Sequence, residues 1–154
     1  MKNFLNISDL SPQDLRFIVD EAKSRKAKRT GLTKSAIDED SPLKGRSMIM
    51  IFEKPSTRTR ISFDIAIKQL GGSTITLNPE GIHYGKGDES LKDTAKVLSE
   101  YADIIMIRTS KHKNLEEFSK YSTIPLINGL SDLSHPCQVI SDILTFEEHK
   151  GDIS

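Results

Sequence analysis

The sequence has one cysteine, no tryptophan and no net charge, with Lys+Arg 22 against Asp+Glu 22 in 154 residues. A single cysteine, Cys137, excludes an intrachain disulfide framework. Balanced charge argues against a general nucleic-acid binder. Long apolar runs are missing too. The longest, Met48-Ile49-Met50-Ile51-Phe52, is far shorter than the roughly 18 residues of a membrane-spanning helix. It suits a buried strand. The first residues, Met1 to Asn6, hold no secretory h-region, so a cytoplasmic protein is expected. The four histidines and one cysteine follow no zinc-ligand spacing, so no metal is expected.

What is present alternates. Ser11-Pro12-Gln13-Asp14 is a helix start: a Ser cap, Pro at the first helical position and an acid in the first turn. Leu15, Ile18, Val19 and Ala22 then mark one apolar face. This helix is expected to fray through Lys23 to Arg29 and to stop at Gly31. Strands are expected at Ser47 to Phe52, Thr74 to Leu77, Ile104 to Ile107 and Ile124 to Ile127. Helices are expected at Ser56 to Leu70, Leu91 to Tyr101, Leu115 to Tyr121 and Pro136 to His149. A Gly-rich loop is expected over 78–89. Regular alternation at this spacing predicts an α/β fold: a doubly wound, three-layer domain whose four-stranded parallel sheet has helices on both faces. At about 150 residues per domain, the length allows one.

Two motifs follow buried strands and open helices. The first is Phe52-Glu53-Lys54-Pro55-Ser56-Thr57-Arg58-Thr59-Arg60. In open parallel sheets ligands sit beyond the carboxyl ends of strands, and a helix N-terminus there attracts phosphate. Ser56, Thr57 and Thr59 add hydroxyls, and Arg58 adds a bidentate fork. The Gly-Lys pattern of a nucleotide P-loop is lacking. A Ser-capped helix with two solvated arginines accounts for the same string. The second motif is His135-Pro136-Cys137-Gln138. His135 can donate to a developing oxyanion, and Gln138, three residues on, can share its side of the turn. A plain helix-opening turn is the alternative. Arg108, just past the third strand, ends on the same sheet edge. The three together bring donors but no catalytic carboxylate and no Ser–His pair. That suits a small, highly anionic substrate that needs orientation and charge stabilisation.

Phe52 to Phe63, together with His135-Pro136-Cys137-Gln138, resembles the carbamoyltransferase family. The ornithine branch is nearest. Aspartate-using relatives usually have Glu at the place of Lys54 and Thr at the place of Cys137. The likeness continues through Asp93 to Leu98, Asn128-Gly129-Leu130 and Asp142 to Thr145. It implies that Ser56, Thr57, Arg58 and Thr59 hold the phosphate of carbamoyl phosphate. It implies that Arg108 bridges phosphate and carbonyl oxygen, that His135 polarises that oxygen, and that Gln138 holds the carbamoyl amino group. The implied reaction transfers the carbamoyl group to the δ-amine of L-ornithine, giving L-citrulline and phosphate, without metal or organic cofactor. The resemblance also implies a homotrimer with shared sites. By the same resemblance, residues 1–134 are the carbamoyl-phosphate-binding domain, and residues 135–154 are a helix leading toward an amino-acid-binding domain absent from this chain. Ornithine would bind only with that second domain. No role is taken over for His83 or Lys86. Another acceptor (aspartate, putrescine or an acylated ornithine) and a non-catalytic phosphate-binding module are the alternatives.

Three further features invite simpler explanations. Lys23 to Arg29 is strongly basic but fits a solvated helix end better than a nucleic-acid patch. Cys137 fits a small packing residue. Ile140, Ile143, Leu144 and Phe146 are expected to leave an apolar patch on the last helix.

Overall fold

The computed structural model describes residues 3–78 and 90–153. Within them, helix α1 runs Pro12–Lys28, strand β1 Ser47–Phe52, α2 Thr57–Gln69, β2 Ser73–Leu77, α3 Leu91–Ser99, β3 Ile104–Arg108, α4 His112–Tyr121, β4 Leu126–Leu130 and α5 Pro136–Lys150. The four strands form one parallel sheet in the order β2-β1-β3-β4. This is the expected doubly wound α/β fold. The loop expected over 78–89 lies, from residue 79 on, outside the described residues.

Strand alternation explains the layers. Met48, Met50, Phe52 and Met106 face one side of the sheet and pack with Ile67 and Phe63 of α2. Ile49, Ile51, Ile105, Ile107 and Leu126 face the other side, against Ala95 of α3 and Leu115 and Phe118 of α4. Both faces of β1 and β3 are therefore dry, which is why their sequences read as unbroken apolar runs. The chain leaves β1 in one direction for β2 and later returns on β1's other flank as β3. The reversal places a topological switch point between β1 and β3.

Several boundaries differ from expectation. α1 does not fray at Lys23 but continues to Lys28. Its basic end is not simply solvated. Arg25 pairs with Glu21, Asp38 and Asp40, Lys26 with Glu148, and Arg29 with Asp38. α4 starts at His112, three residues before the expected Leu115, because the Asp132 carboxylate accepts from the His112 N–H at 2.7 Å. β4 starts at Leu126 and runs on through Asn128 and Gly129, two residues later than expected. A Cβ at Gly129 would collide with the Met106 sulfur, so the Met106 side chain lies directly over the glycine. Next to it, the register between β3 and β4 shifts, and Leu130 adopts φ 144°. The N-terminal segment supplies one more, unforeseen neighbour. Phe4 bridges Ile127 in parallel, its N–H donating to Leu126 O at 2.8 Å.

α1 and α5 are clamped together. Arg16 makes a bidentate pair with Glu147 at 2.6 and 2.9 Å, and Lys23 reaches the same carboxylate at 2.8 Å. The Glu147 side chain has no accessible surface, covered by these long cationic side chains over a shallow seam rather than sunk in the core. On the outer side of α5, Phe146 is 52% and Val139 39% exposed. Ile140, Ile143 and Leu144 are half-buried, so the apolar patch is narrower than the expected four residues.

Candidate functional site

Parallel register brings three strand ends level. Phe52 pairs with Arg108, and Arg108 with Leu130. Each strand then hands over to a segment that carries candidate residues. After β1 comes the N-terminus of α2, after β3 comes Arg108 itself, and after β4 comes the turn into α5.

At the first, Ser56 occupies the N-cap position of α2 but makes no side-chain capping bond. The simple Ser-cap alternative is therefore not what the structure shows. The first-turn N–H groups and the positive end of the helix dipole face outward. Thr59 is buried, while Thr57 and Arg58 are exposed. Pro55, Ser56, Thr57, Arg58, Thr59 and Arg108 line one cleft of about 380 Å³. Arg60 does not belong to it. Its guanidinium stacks on the Phe52 ring at 5.1 Å and donates to Asn78 Oδ1 at 2.9 Å.

Arg108 is held rather than free. Its Nη1 donates to Thr59 Oγ1 at 2.9 Å. Its Nε is buried without a hydrogen-bond partner among the described residues. A buried donor left open is costly, by about 1–3 kcal/mol, so an unpaired guanidinium N–H at a cleft points to a ligand. His135 repeats the pattern, with Nδ1 buried and, among the described residues, unpartnered. Burial, and secondarily the nearby Arg108 charge, push its pKa below the usual histidine value, while Asp142 pulls it up. The neutral ring is the form favoured near pH 7. The His135 main-chain carbonyl accepts from the Gln138 and Val139 N–H groups in the first turn of α5.

Gln138 lies one turn into α5, as its spacing required. Its side chain is exposed and donates to Asp142 at 2.8 Å, and it is not among the residues lining the cleft. The Cys137 sulfur lies 3.8 Å from Asn128 O, and burial raises its thiol to about 11, which suits packing and not nucleophilic chemistry. Sequence reasoning gave Glu53 no role. It links the ends of β1 and β3: its Oε2 accepts from Thr109 Oγ1 at 2.6 Å and from Ser110 N at 3.1 Å, and its own N–H donates to Arg108 O at 2.9 Å. The available signal was a carboxylate directly after a fully buried strand.

Taken together, the rim presents an open helix N-terminus, two arginines and three hydroxyls around one small cleft, and the His135 imidazole, which does not line that cleft, lies within reach of the Arg108 charge. The rim can bind a compact polyanion and donate hydrogen bonds to an adjoining carbonyl oxygen.

Comparison with known proteins finds relatives along nearly the whole chain. The ornithine carbamoyltransferase of Rhizorhabdus wittichii is 50% identical over 150 residues, 97% of this chain and 48% of that protein. That of Roseobacter denitrificans is 50% identical over 154 residues, 100% of this chain and 50% of the other. Among solved structures, ornithine carbamoyltransferase from Pyrococcus furiosus superposes with a TM-score of 0.89 at 41% identity, over 97% of this chain and 46% of that one. The ornithine carbamoyltransferase from Burkholderia thailandensis gives 0.85 at 38%, over 98% and 50%. The chain thus spans about half the length of the relatives it matches. Residues 2–148 match the family profile described as aspartate/ornithine carbamoyltransferase, carbamoyl-P binding domain, and the chain belongs to that family.

Proposed function

We propose that this chain is the carbamoyl-phosphate-binding half of an ornithine carbamoyltransferase. The carrying observation is the juxtaposition of Arg108, held by Thr59, with the uncapped N-terminus of α2 at the switch point of the sheet. Ser56, Thr57, Arg58 and Thr59 hold the phosphate. Arg108 spans phosphate and carbonyl oxygen, with its open Nε as the second donor. Neutral His135 donates to the carbonyl oxygen and stabilises the charge that grows there. Gln138 takes the carbamoyl amino group after exchanging Asp142 for it.

In the whole enzyme the uncharged δ-amine of L-ornithine attacks the carbonyl carbon. The tetrahedral adduct expels phosphate, the former amine gives up a proton, and L-citrulline results. The chain supplies orientation and charge stabilisation. Ornithine selection belongs to a second domain that follows residues 135–154. A homotrimer, a cytoplasmic location and a place in arginine biosynthesis complete the reading. No helix among the described residues is long and apolar enough to cross a membrane.

A calorimetric titration with carbamoyl phosphate, beside inorganic phosphate and the Arg58→Ala variant, tests it. Saturable binding of carbamoyl phosphate that is lost in the variant is expected. A wild-type chain that binds neither anion would overturn the reading. Without the second domain, no citrulline is expected, and robust citrulline formation by this chain would overturn the assignment of ornithine to that domain.

A further inference from the structure

His135 is reached by a turn, Ser131 to Ser134, that has no regular secondary structure of its own. Something else must fix the ring, because an imidazole that wanders cannot aim a hydrogen bond at one oxygen. The structure supplies a hydrogen-bonded cycle of four residues immediately before it, closed through the Ser134 main-chain carbonyl. Asn6 Nδ2 lies 3.3 Å from His112 Nε2. An amide N–H can only donate, so Nε2 accepts and the ring proton is assigned to Nδ1. His112 Nδ1 then donates to Ser131 Oγ at 2.8 Å. Ser131 Oγ donates to Ser134 O at 3.3 Å. Ser134 Oγ donates to Asn6 Oδ1 at 2.7 Å, which returns the cycle to its start. The four side-chain donors point the same way round.

The cycle is braced from both sides. Ser131 Oγ also accepts from Ser134 N at 3.2 Å. Asn128, fully buried, donates through Nδ2 to Leu5 O at 2.9 Å and to Ser134 O at 3.2 Å. Its Oδ1 accepts from Leu130 N at 2.9 Å, at the residue with φ 144°. Asp132 accepts from the His112 N–H at the start of α4. His112 is only 4% exposed. Two elements remote in sequence, the N-terminal segment and α4, thus converge on the peptide preceding His135.

We propose that the Asn6–His112–Ser131–Ser134 cycle is a positioning device for His135, and that the N-terminal segment is therefore part of the site's scaffold rather than a tail. None of the four residues touches the cleft that holds the anion. They act on substrate only through the direction of the His135 ring. The proposal rests on the carbamoyl-phosphate reading for its effect on ligands, but not for its effect on the ring.

The test uses this chain with Asn6→Ala, Ser134→Ala, Ser134→Thr and His135→Ala. Two readouts are taken: carbon-13 relaxation of the His135 ring, and calorimetric affinity for carbamoyl phosphate and for inorganic phosphate. Asn6→Ala and Ser134→Ala are expected to loosen the ring and to weaken carbamoyl phosphate by about fivefold to tenfold, one hydrogen bond's worth. Inorganic phosphate, which needs only the α2 cradle and Arg108, should change by less than about twofold. Ser134→Thr, which keeps the hydroxyl, should restore both readouts. Because Ser134 is half-buried and Asn6 lies near the chain's start, Asn6→Ala keeps the test open if Ser134→Ala does not fold. A folded Asn6→Ala protein with an unaltered His135 ring overturns the proposal, as does equal weakening of both anions. If His135→Ala itself fails to separate the two anions, the carbonyl-oxygen role of His135 is what falls. Ring relaxation alone then decides whether the cycle positions it.

Discussion

Two places on this molecule gather cations, and they treat them in opposite ways. In the seam between α1 and α5, Arg16 and Lys23 close on Glu147, and Lys23 also reaches Asp152 at 2.7 Å. The carboxylate takes both cations and the Ile153 N–H as well, leaving only Arg16 Nε without a partner. At the sheet rim, among the described residues, Arg58 has no acidic partner, Arg108 donates to a threonine hydroxyl, and His135 keeps a buried nitrogen open. Neutralised charge fastens one helix to another. Charge left unneutralised on a rigid frame is what an anion needs. Glu53 is the telling detail, since it sits at the rim yet faces Thr109 and Ser110 instead of Arg108's guanidinium. A carboxylate spent on the frame stiffens the site without filling it.

Deleting the rim cations should break this comparison most visibly. Arg58→Ala and Arg108→Ala are each expected to weaken carbamoyl phosphate by about 30- to 100-fold, as loss of charge-assisted bonds does. Melting temperature should hardly move for Arg58→Ala, because that side chain is exposed. Calorimetry and thermal melts on the same samples check both halves. A large stability loss with intact binding would mean that Arg58 belongs to the frame.

Much of the rim was legible in the sequence, because its parts are local. A buried apolar run followed by Ser56 to Arg60, and a strand followed by His135 to Gln138, each announce a strand end opening a helix. What escaped was non-local. The Lys23 to Arg29 run looked like a fraying end because its partners, Asp38, Asp40 and Glu148, lie on other segments. α4 began early because its capping carboxylate, Asp132, comes from beyond β4. β4 was displaced because Asn128 and Gly129 carry turn-like chemistry, yet the amide of Asn128 is buried and bonded and Gly129 is packed beneath Met106. The direction of the Gln138 side chain is set by Asp142, and spacing alone does not reveal it.

The seam can be tested by removing its negative centre. Glu147→Gln keeps the shape but leaves two cations facing a neutral amide, and should lower the melting temperature by several degrees with anion binding at the rim preserved. The bonds from Arg16 and then Lys23 hold the Glu147 carboxyl well below the usual carboxylate range. Its stabilising effect is therefore full above the ordinary glutamate value of 4.5 and is lost as pH falls below it. Melts followed from about pH 6 down to about pH 3 should fall more steeply for wild type than for Glu147→Gln. Parallel curves would remove Glu147 from the account of acid sensitivity. A smaller effect is expected from Phe146→Ser on the outer face of α5. It should reduce self-association in sedimentation at high concentration, since Phe146 is half exposed on an apolar strip.

The smallest effect is also the sharpest probe of the open rim. His135 is held below its ordinary value of 6.5, first by burial and second by Arg108. A base with a lowered folded-state pKa stabilises the protein above that ordinary value, and the contribution fades as pH drops through it, so acid works against the rim slightly before it reaches the seam. Replacing Arg108 by Gln removes the second cause and leaves the first, so the pKa should climb only part of the way back. Adding inorganic phosphate to wild type should do more, because a dianion beside the ring favours its protonated form directly. Proton NMR of the His135 ring across pH, with and without phosphate, follows each step. An unliganded value at or above 6.5 would mean that the imidazole is already paired with an acid, and the rim would then resemble the seam after all.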